Sequence, residues 1–388
     1  MPGVLVLIPS YNVASTIAYV VSTAAQGLKK FFPEYENMIL VSDGGSIDGT
    51  VDVVKSLRIE DVKISVERYK GVSGKGSATI YGFKKALEND YDAVIMLDSD
   101  LRSIEPWWIK LLGEATKKYD LVTPIYVRDK WDGTITKTLA YPTIKSVFKA
   151  EIRQPIGGDF GISRRLLEKA FENVELFTLD VYKFGIDFFI TSTAVSENMR
   201  IAQADLGSKI HAAKDPGLHL KDMFFNVSKI VVQAILNYWN KIRYKGFTST
   251  EILKWKYSWR CPQYIEVDVK ANVQRFVKEY KKNKGLFEKL LREETSEIDE
   301  IVKNLTLARE NAFPDELWAR LFFKNVAKFR EYGEEVAETL YVLWLGKVAS
   351  YLIDTIDKNV DEAEKYVESI AKAFTQNIEI LKTSLNTN

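Results

Sequence analysis

The sequence predicts an α/β protein: a mostly parallel sheet flanked by helices, followed by an all-α region. Three observations carry that prediction. The first half alternates short apolar runs with segments of helical spacing. The most distinctive polar motifs fall just beyond the ends of those runs. The composition then shifts after about residue 220 to long amphipathic and charged helical patterns. Repeated strand–helix units require right-handed crossovers, which build parallel sheets covered on both faces.

The elements follow in order. Val4 to Ile8 is a continuous apolar run stopped by Pro9, as expected of a buried parallel strand. Thr16 to Lys30 places Ile17, Val20, Val21, Ala24, Ala25 and Leu28 at helical spacing. Met38 to Val41 reads as the second strand, Asp48 to Ser56 as the start of a helix, and Lys63 to Val66 as the third strand. Ala78 to Leu87 is a further helix and Val94 to Leu97 a fourth strand. Lys221 to Tyr244 carries one apolar helical face, and Pro314-Asp315-Glu316 opens a helix with a preset φ and acids that favour the dipole. Val336 to Ile356 repeats Leu, Val, Tyr and Trp as a core stripe. Residues 1–244 are expected to form the sheet domain and residues 245–388 the helical one.

Composition narrows the functional classes. The chain has 388 residues, 46% hydrophobic, and its 54 basic and 53 acidic residues leave a net charge of +1. That balance gives no case for nucleic acid or an anionic membrane as partner. No cationic segment precedes Val4, and no uncharged apolar run approaches the ~20 residues that span a bilayer. A cytoplasmic location is therefore expected. The single cysteine, Cys261, reads as a small buried hydrophobe.

The chemistry concentrates at Asp98-Ser99-Asp100, an Asp-x-Asp closing the apolar run Ala93 to Leu97. Carboxylates there can hold a divalent cation against a phosphate at the mouth of a sheet, or stand as solvated turn residues. An EF-hand loop fails, because its sixth position is Ser103 and its twelfth Ile109. Asp43 precedes Gly44-Gly45 and suits a base or ribose, whereas Asp48 reads as a helix cap. Gly71-Val72-Ser73-Gly74-Lys75-Gly76-Ser77 lacks phosphate-loop spacing, yet its lysine and glycines suit a diphosphate as well as a solvated loop. His211 can complete a metal site with the Asp pair or simply be satisfied in the fold; His219 reads as solvated. Asp187 is a helix cap or a carboxylate facing a substrate pocket.

Taken in order, Pro9-Ser10-Tyr11-Asn12, Asp43 to Thr50 and Asp98-Ser99-Asp100 resemble the GT-A-fold, family 2-like nucleotide-sugar glycosyltransferases. Gly74-Lys75-Gly76, Gln154 to Asp159, Gly185-Ile186-Asp187 and His211 narrow the resemblance to the retaining mannosylglycerate synthases and the related glucosylglycerate and glucosyl-3-phosphoglycerate synthases. The resemblance covers about residues 4–225 and is weaker over the helical tail. It implies a GDP- or UDP-sugar donor, a D-glycerate or 3-phosphoglycerate acceptor, and Mg2+ or Mn2+. It further implies that Pro9, Tyr11, Asp43, Lys75, Asp98, Gly158 and Asp159 line the nucleotide-sugar site. Asp100 and His211 would hold the cation, Asp187 would sit beside the transferring sugar, and Arg128 and Thr136 would grip the acceptor. Val13 and Ala14 stand where many relatives have an acid, and Ser77 where an Asp is common. Thr134 replaces an Arg of the phosphoglycerate enzymes, which leaves Lys130 or Lys137 to meet a phosphate.

Two rival enzymes share parts of this pattern. An inverting family 2 enzyme with a lipid or polysaccharide acceptor would share the first three motifs. A nucleotidyltransferase would share the sheet and carboxylates but bring a Gly/Arg/Lys-rich N-terminal signature. The helical half could instead serve as a binding module, and it makes a homo-oligomer conceivable.

Overall fold

The computed structural model describes residues 3–211, 220–256, 258 and 260–386. Its sheet has eight strands: β1 (Val4–Ser10), β2 (Met38–Asp43), β3 (Lys63–Arg68), β4 (Ala93–Met96), β5 (Leu121–Val127), β6 (Phe160–Ser163), β7 (Ile201–Ser208) and β8 (Glu251–Lys254). The spatial order is β3-β2-β1-β4-β6-β5-β7-β8. Only β6 runs antiparallel to its neighbours β4 and β5; the other pairs are parallel. The mostly parallel sheet expected from the alternating pattern is therefore present. β1 is buried along its whole length, as its unbroken apolar run requires.

The helices expected between the strands form at Ile17–Phe31, Thr50–Ser56 and Lys75–Glu88. The first of these packs Val20, Val21, Ala24 and Leu28 into one core with Val6, Ile8, Ile39 and Trp108. Asp48 does not occupy the cap position, which falls to Gly49 at φ 91°. Its carboxylate still accepts from the first helical N–H, of Thr50, at 3.0 Å.

The chain forms two compact units, and their boundaries differ from the expected division at residues 244 and 245. One unit comprises Met1–Arg128, Glu151–Ala212 and Thr248–Gln263; the other comprises Asp129–Ala150, Ala213–Phe247 and Tyr264–Asn388. The reason is packing that a linear composition shift does not register. β8, beyond the expected boundary, pairs with β7 and extends the sheet. The short helix Tyr141–Ser146, deep inside the expected sheet domain, packs with the helix Val360–Asn386.

Within the helical unit, Pro314 caps the long helix Asp315–Asp354, which is interrupted at Gly333 (φ 27°). Trp318, Trp344 and Tyr351 are fully buried, as the core-stripe reading expects. This is the one helix among the described residues long and apolar enough to cross a membrane, and 94% of its apolar window is buried. Lys347 is completely buried there, donating to Phe313 O at 2.9 Å and Asp315 Oδ1 at 2.6 Å. Cys261 is exposed, not a core residue. It follows β8 on a segment with no regular structure, where no apolar layer covers it.

Candidate active site

The polar centre of the sheet unit lies beyond the C-terminal ends of β1, β2 and β4, the mouth of an open α/β sheet. Lys75 is the first residue of the helix Lys75–Glu88 and is 2.8 Å from Asp98 Oδ1 and 3.0 Å from Asp187 Oδ2. The other Asp98 oxygen is 2.6 Å from Lys209 Nζ, which is also 2.8 Å from Asp159 Oδ2. The result is a chain of alternating charge: Asp187, Lys75, Asp98, Lys209, Asp159.

Burial raises the acids at both ends of this chain. Asp187 is pushed up by desolvation, opposed by Lys75, and Asp159 by desolvation and the Asp98 charge, opposed by Lys209. Asp98 in the middle behaves oppositely: desolvation would raise it, but the ammonium groups of Lys209 and Lys75 hold it far below the usual carboxylate range. Burial opposes the charge on both lysines, yet the flanking carboxylates keep them protonated.

Asp187 lies in the first turn of the helix Ile186–Ser196 but is not its cap, which is Gly185. Its Oδ1 is buried and has no hydrogen-bond partner. An unmet buried carboxylate oxygen is costly unless a ligand supplies the donor. That property fits the pocket-facing reading of Asp187.

The other expected residues divide into groups. Pro9 is buried in β1, and the Tyr11 ring next to it is 59% exposed. Asp43 is buried and already accepts four hydrogen bonds: from Gly45 N (2.7 Å), Ser46 N (2.9 Å), Ser46 Oγ and Ser10 Oγ (3.2 Å). Its carboxylate organises the loop that follows β2. Asn12 joins the same loop by accepting from Ile47 N at 2.9 Å.

Gly158 adopts φ 89°, and a Cβ there would stand 2.1 Å from Asp98 Oδ2. Asp159 is completely buried, accepting from Asp98 N at 2.8 Å and from the Tyr126 hydroxyl as well as from Lys209. Both of its oxygens are engaged within the protein interior. The glycines flanking Lys75 also have an internal reason. A Cβ on Gly76 would lie 1.9 Å from Val181 O, and one on Gly74 would lie 2.5 Å from Tyr182 O. They allow the helix start to press against the segment preceding Asp187.

Asp100 and His211 sit on two segments that are tied together: Arg102 N donates to Ile210 O at 2.8 Å, and Ile210 N donates to Ser103 Oγ at 2.9 Å. No hydrogen bond or ion pair among the described residues reaches the Asp100 carboxylate. The His211 Nε2 lies 3.2 Å from Arg128 Nη2. Among the described residues no three His, Cys, Asp or Glu side chains form a metal cage. Asp98, with both oxygens committed to lysines, does not join Asp100 as a ligand. The donors therefore suit a cation only if two protein ligands are completed by a bound diphosphate.

Thr136 opens a helical turn, Thr136–Ala140, and is buried in the helical unit. Lys130 and Lys137, the cations considered for a phosphate, belong to that unit too. Lys130 donates to the carbonyls of Thr355, Ile356 and Lys358, and Lys137 to those of Asp129 and Lys130. Both are committed to main-chain groups. His219 lies outside the described residues.

Two residues of the centre, Lys209 and Tyr126, carry no motif. The register of β5 against β7 slips by one residue between Ile125 and Val127, and Gly207 there has φ 74°. Such a bulge re-aims the side chains that follow it. Lys209 thus lies just past β7. Its signal in the sequence is a lysine placed directly after a buried strand and a glycine.

Residues 5–171 match the model of glycosyl transferase family 2. An undecaprenyl-phosphate mannosyltransferase of Micrococcus luteus is 34% identical over 119 residues, 31% of this chain and 46% of that protein. The glycosyltransferase AglJ of Haloferax volcanii is 35% identical over 137 residues, 35% of this chain and 40% of that protein. The chain thus spans less than half the length of either relative. Among solved structures, glucosyl-3-phosphoglycerate synthase of Mycobacterium tuberculosis with Mg2+ and uridine diphosphate aligns over 63% of this chain and 81% of its own, at 18% identity and TM-score 0.48. Over residues 5–171, less than half of its length, the chain is thus similar to glycosyl transferase family 2.

Proposed function

We propose that this protein is a hexosyltransferase that moves mannose or glucose from a GDP- or UDP-sugar to the hydroxyl of D-glycerate, with retention of configuration. The observation that carries the reading is the unmet Asp187 Oδ1, buried beside Lys75 at the mouth of the sheet. As the sugar–phosphate bond breaks, positive charge grows on the sugar ring, and a preorganised carboxylate favours it. Lys75 opposes the upward pull of burial on Asp187 and keeps one N–H beyond its two ion pairs for the donor. The bond between the anomeric carbon and the diphosphate oxygen breaks while the acceptor oxygen bonds to that carbon on the same face. The acceptor proton passes to the departing phosphate oxygen. Asp100 and His211 would hold a Mg2+ or Mn2+ ion on the diphosphate, and a bound cation offsets the charge of the leaving group. Arg128 supplies a guanidinium suited to the acceptor carboxylate.

The commitment of Lys130 and Lys137 to carbonyl groups favours free glycerate over 3-phosphoglycerate. A second reading, transfer to a lipid phosphate, is supported by the name of the 34% identical relative. The test is a panel of GDP- and UDP-sugars with Mg2+ or Mn2+, scored for nucleotide release with D-glycerate, 3-phosphoglycerate, undecaprenyl phosphate or no acceptor. Release stimulated by D-glycerate supports the proposal. Release that responds only to the lipid phosphate replaces it with the second reading.

A further inference from the structure

We propose that Lys209 is a positioning residue of this site: its ammonium clamps Asp98 against Asp159 and thereby holds Lys75 and Asp187 in register. The inference rests on the transferase reading above and extends it to a residue that touches no substrate.

The donor count makes that last point. An ammonium has three N–H groups, and those of Lys209 reach Asp98 Oδ2 (2.6 Å), Gly157 O (2.8 Å) and Asp159 Oδ2 (2.8 Å). The residue is 4% exposed, with its Nζ 5.0 Å from the centre of the Tyr126 ring. Nothing of its bonding capacity is left for a ligand. Asp98, which is partly exposed, is held from several sides. Lys75 takes one oxygen, Lys209 takes the other, its N–H bonds Asp159, and Gly158 closes against the carboxylate. Asp159 is in turn fixed by Tyr126. Among the described residues, Lys209 is the one side chain that joins the Asp98 carboxylate to this buried anchor.

Charge gives the clamp its strength. With Lys209 the five groups carry three negative and two positive charges. Without it, three buried carboxylates face one ammonium, and Asp98 and Asp159 repel each other across the gap. Lys75 would then be the only cation for two acids that it must also keep apart. Reacting groups misplaced by about 1 Å can lose about 100-fold in rate.

The experiment compares Lys209→Met, Lys209→Arg and Asp159→Asn in the full chain by nucleotide release. We expect Lys209→Met to lower kcat about 100-fold while KM for the sugar nucleotide stays within about threefold. Lys209→Arg, which restores the charge, should recover at least about tenfold of that loss, whereas a purely steric role would predict no recovery. A kcat for Lys209→Met within threefold of the parent, or a loss lying wholly in KM, overturns the inference. So does an arginine variant no better than methionine. Should Lys209→Met not fold, Asp159→Asn removes only the anchor and is expected to lower kcat about tenfold; an unchanged kcat overturns the inference. If the parent turns over no sugar nucleotide, the transferase reading fails by itself. Positioning is then read from denaturant unfolding of Lys209→Met, Lys75→Met and the double variant. Non-additive losses between these two lysines, linked through Asp98, support the clamp, and additive ones overturn it.

Discussion

Gly158→Ala tests the geometry of the site with the smallest possible change. A Cβ at this position would sit 2.1 Å from Asp98 Oδ2 and 2.7 Å from its Cγ, whereas real Cβ contacts essentially never fall below 3.0 Å. The carboxylate would have to retreat by about 0.9 Å or the loop would have to move. Retreat is resisted by the 2.6 Å and 2.8 Å ion pairs to Lys209 and Lys75. The backbone adds a second cost, because φ 89° suits glycine and disfavours a side chain by about 1–2 kcal/mol. Displacement of this order predicts a loss of about 100-fold in kcat, equivalent to about 2.7 kcal/mol of barrier. Steady-state nucleotide release and thermal unfolding of the same preparations provide the assay. A variant with kcat within threefold of the parent and an unchanged Tm would show that Asp98 is not held as described.

Further outcomes follow from the charged groups. Lys347→Met strands Asp315 in the helical unit and should cost about 3 kcal/mol, read as a lower denaturant midpoint. Asp187 has a folded pKa raised above its usual 3.8, chiefly by burial against the opposing pull of Lys75. Its contribution to stability is thus complete below that value and is lost as pH rises through the folded pKa. Asp187→Asn should therefore fall less steeply in stability than the parent as pH rises above about 4, as denaturant titrations at a series of pH values would reveal. Chelation with EDTA should abolish sugar-nucleotide turnover and added Mn2+ or Mg2+ should restore it, with Asp100→Asn requiring more metal than the parent.

The early sheet was legible because β1, β2 and β4 are dense apolar runs and the helix Ile17–Phe31 keeps one buried stripe. Val4 to Ile8 could be little else. Lys75, Asp98, Asp159 and Asp187, four of the five members of the ion chain, stood out through neighbouring glycines or strand ends. Lys209 did not, since its role arises from a bulge between β5 and β7 that brings residues far apart in sequence together. Asp43 and Asp159 were recognised as special, but their partners are backbone N–H groups and buried side chains, which residue type alone does not disclose. The boundaries of the compact units differ from the expected ones for a related reason. Tyr141–Ser146 is helical and apolar whichever layer it joins, and the four residues of β8 are too few and too exposed to announce a strand.

The discontinuity of the two units has a consequence for how the molecule is made. Asp129–Ala150 leaves the ribosome early, yet the helices it packs with begin after residue 264. Contacts so distant in sequence form slowly, and the segment carries Leu139, Tyr141, Ile144 and Phe148, all buried in the finished protein. For well over a hundred residues of synthesis these side chains have no cover, so a newly made chain is exposed to aggregation at that stretch. A polypeptide ended at residue 244 would remain in that condition permanently, lacking both the helical cover and the final strand of its sheet.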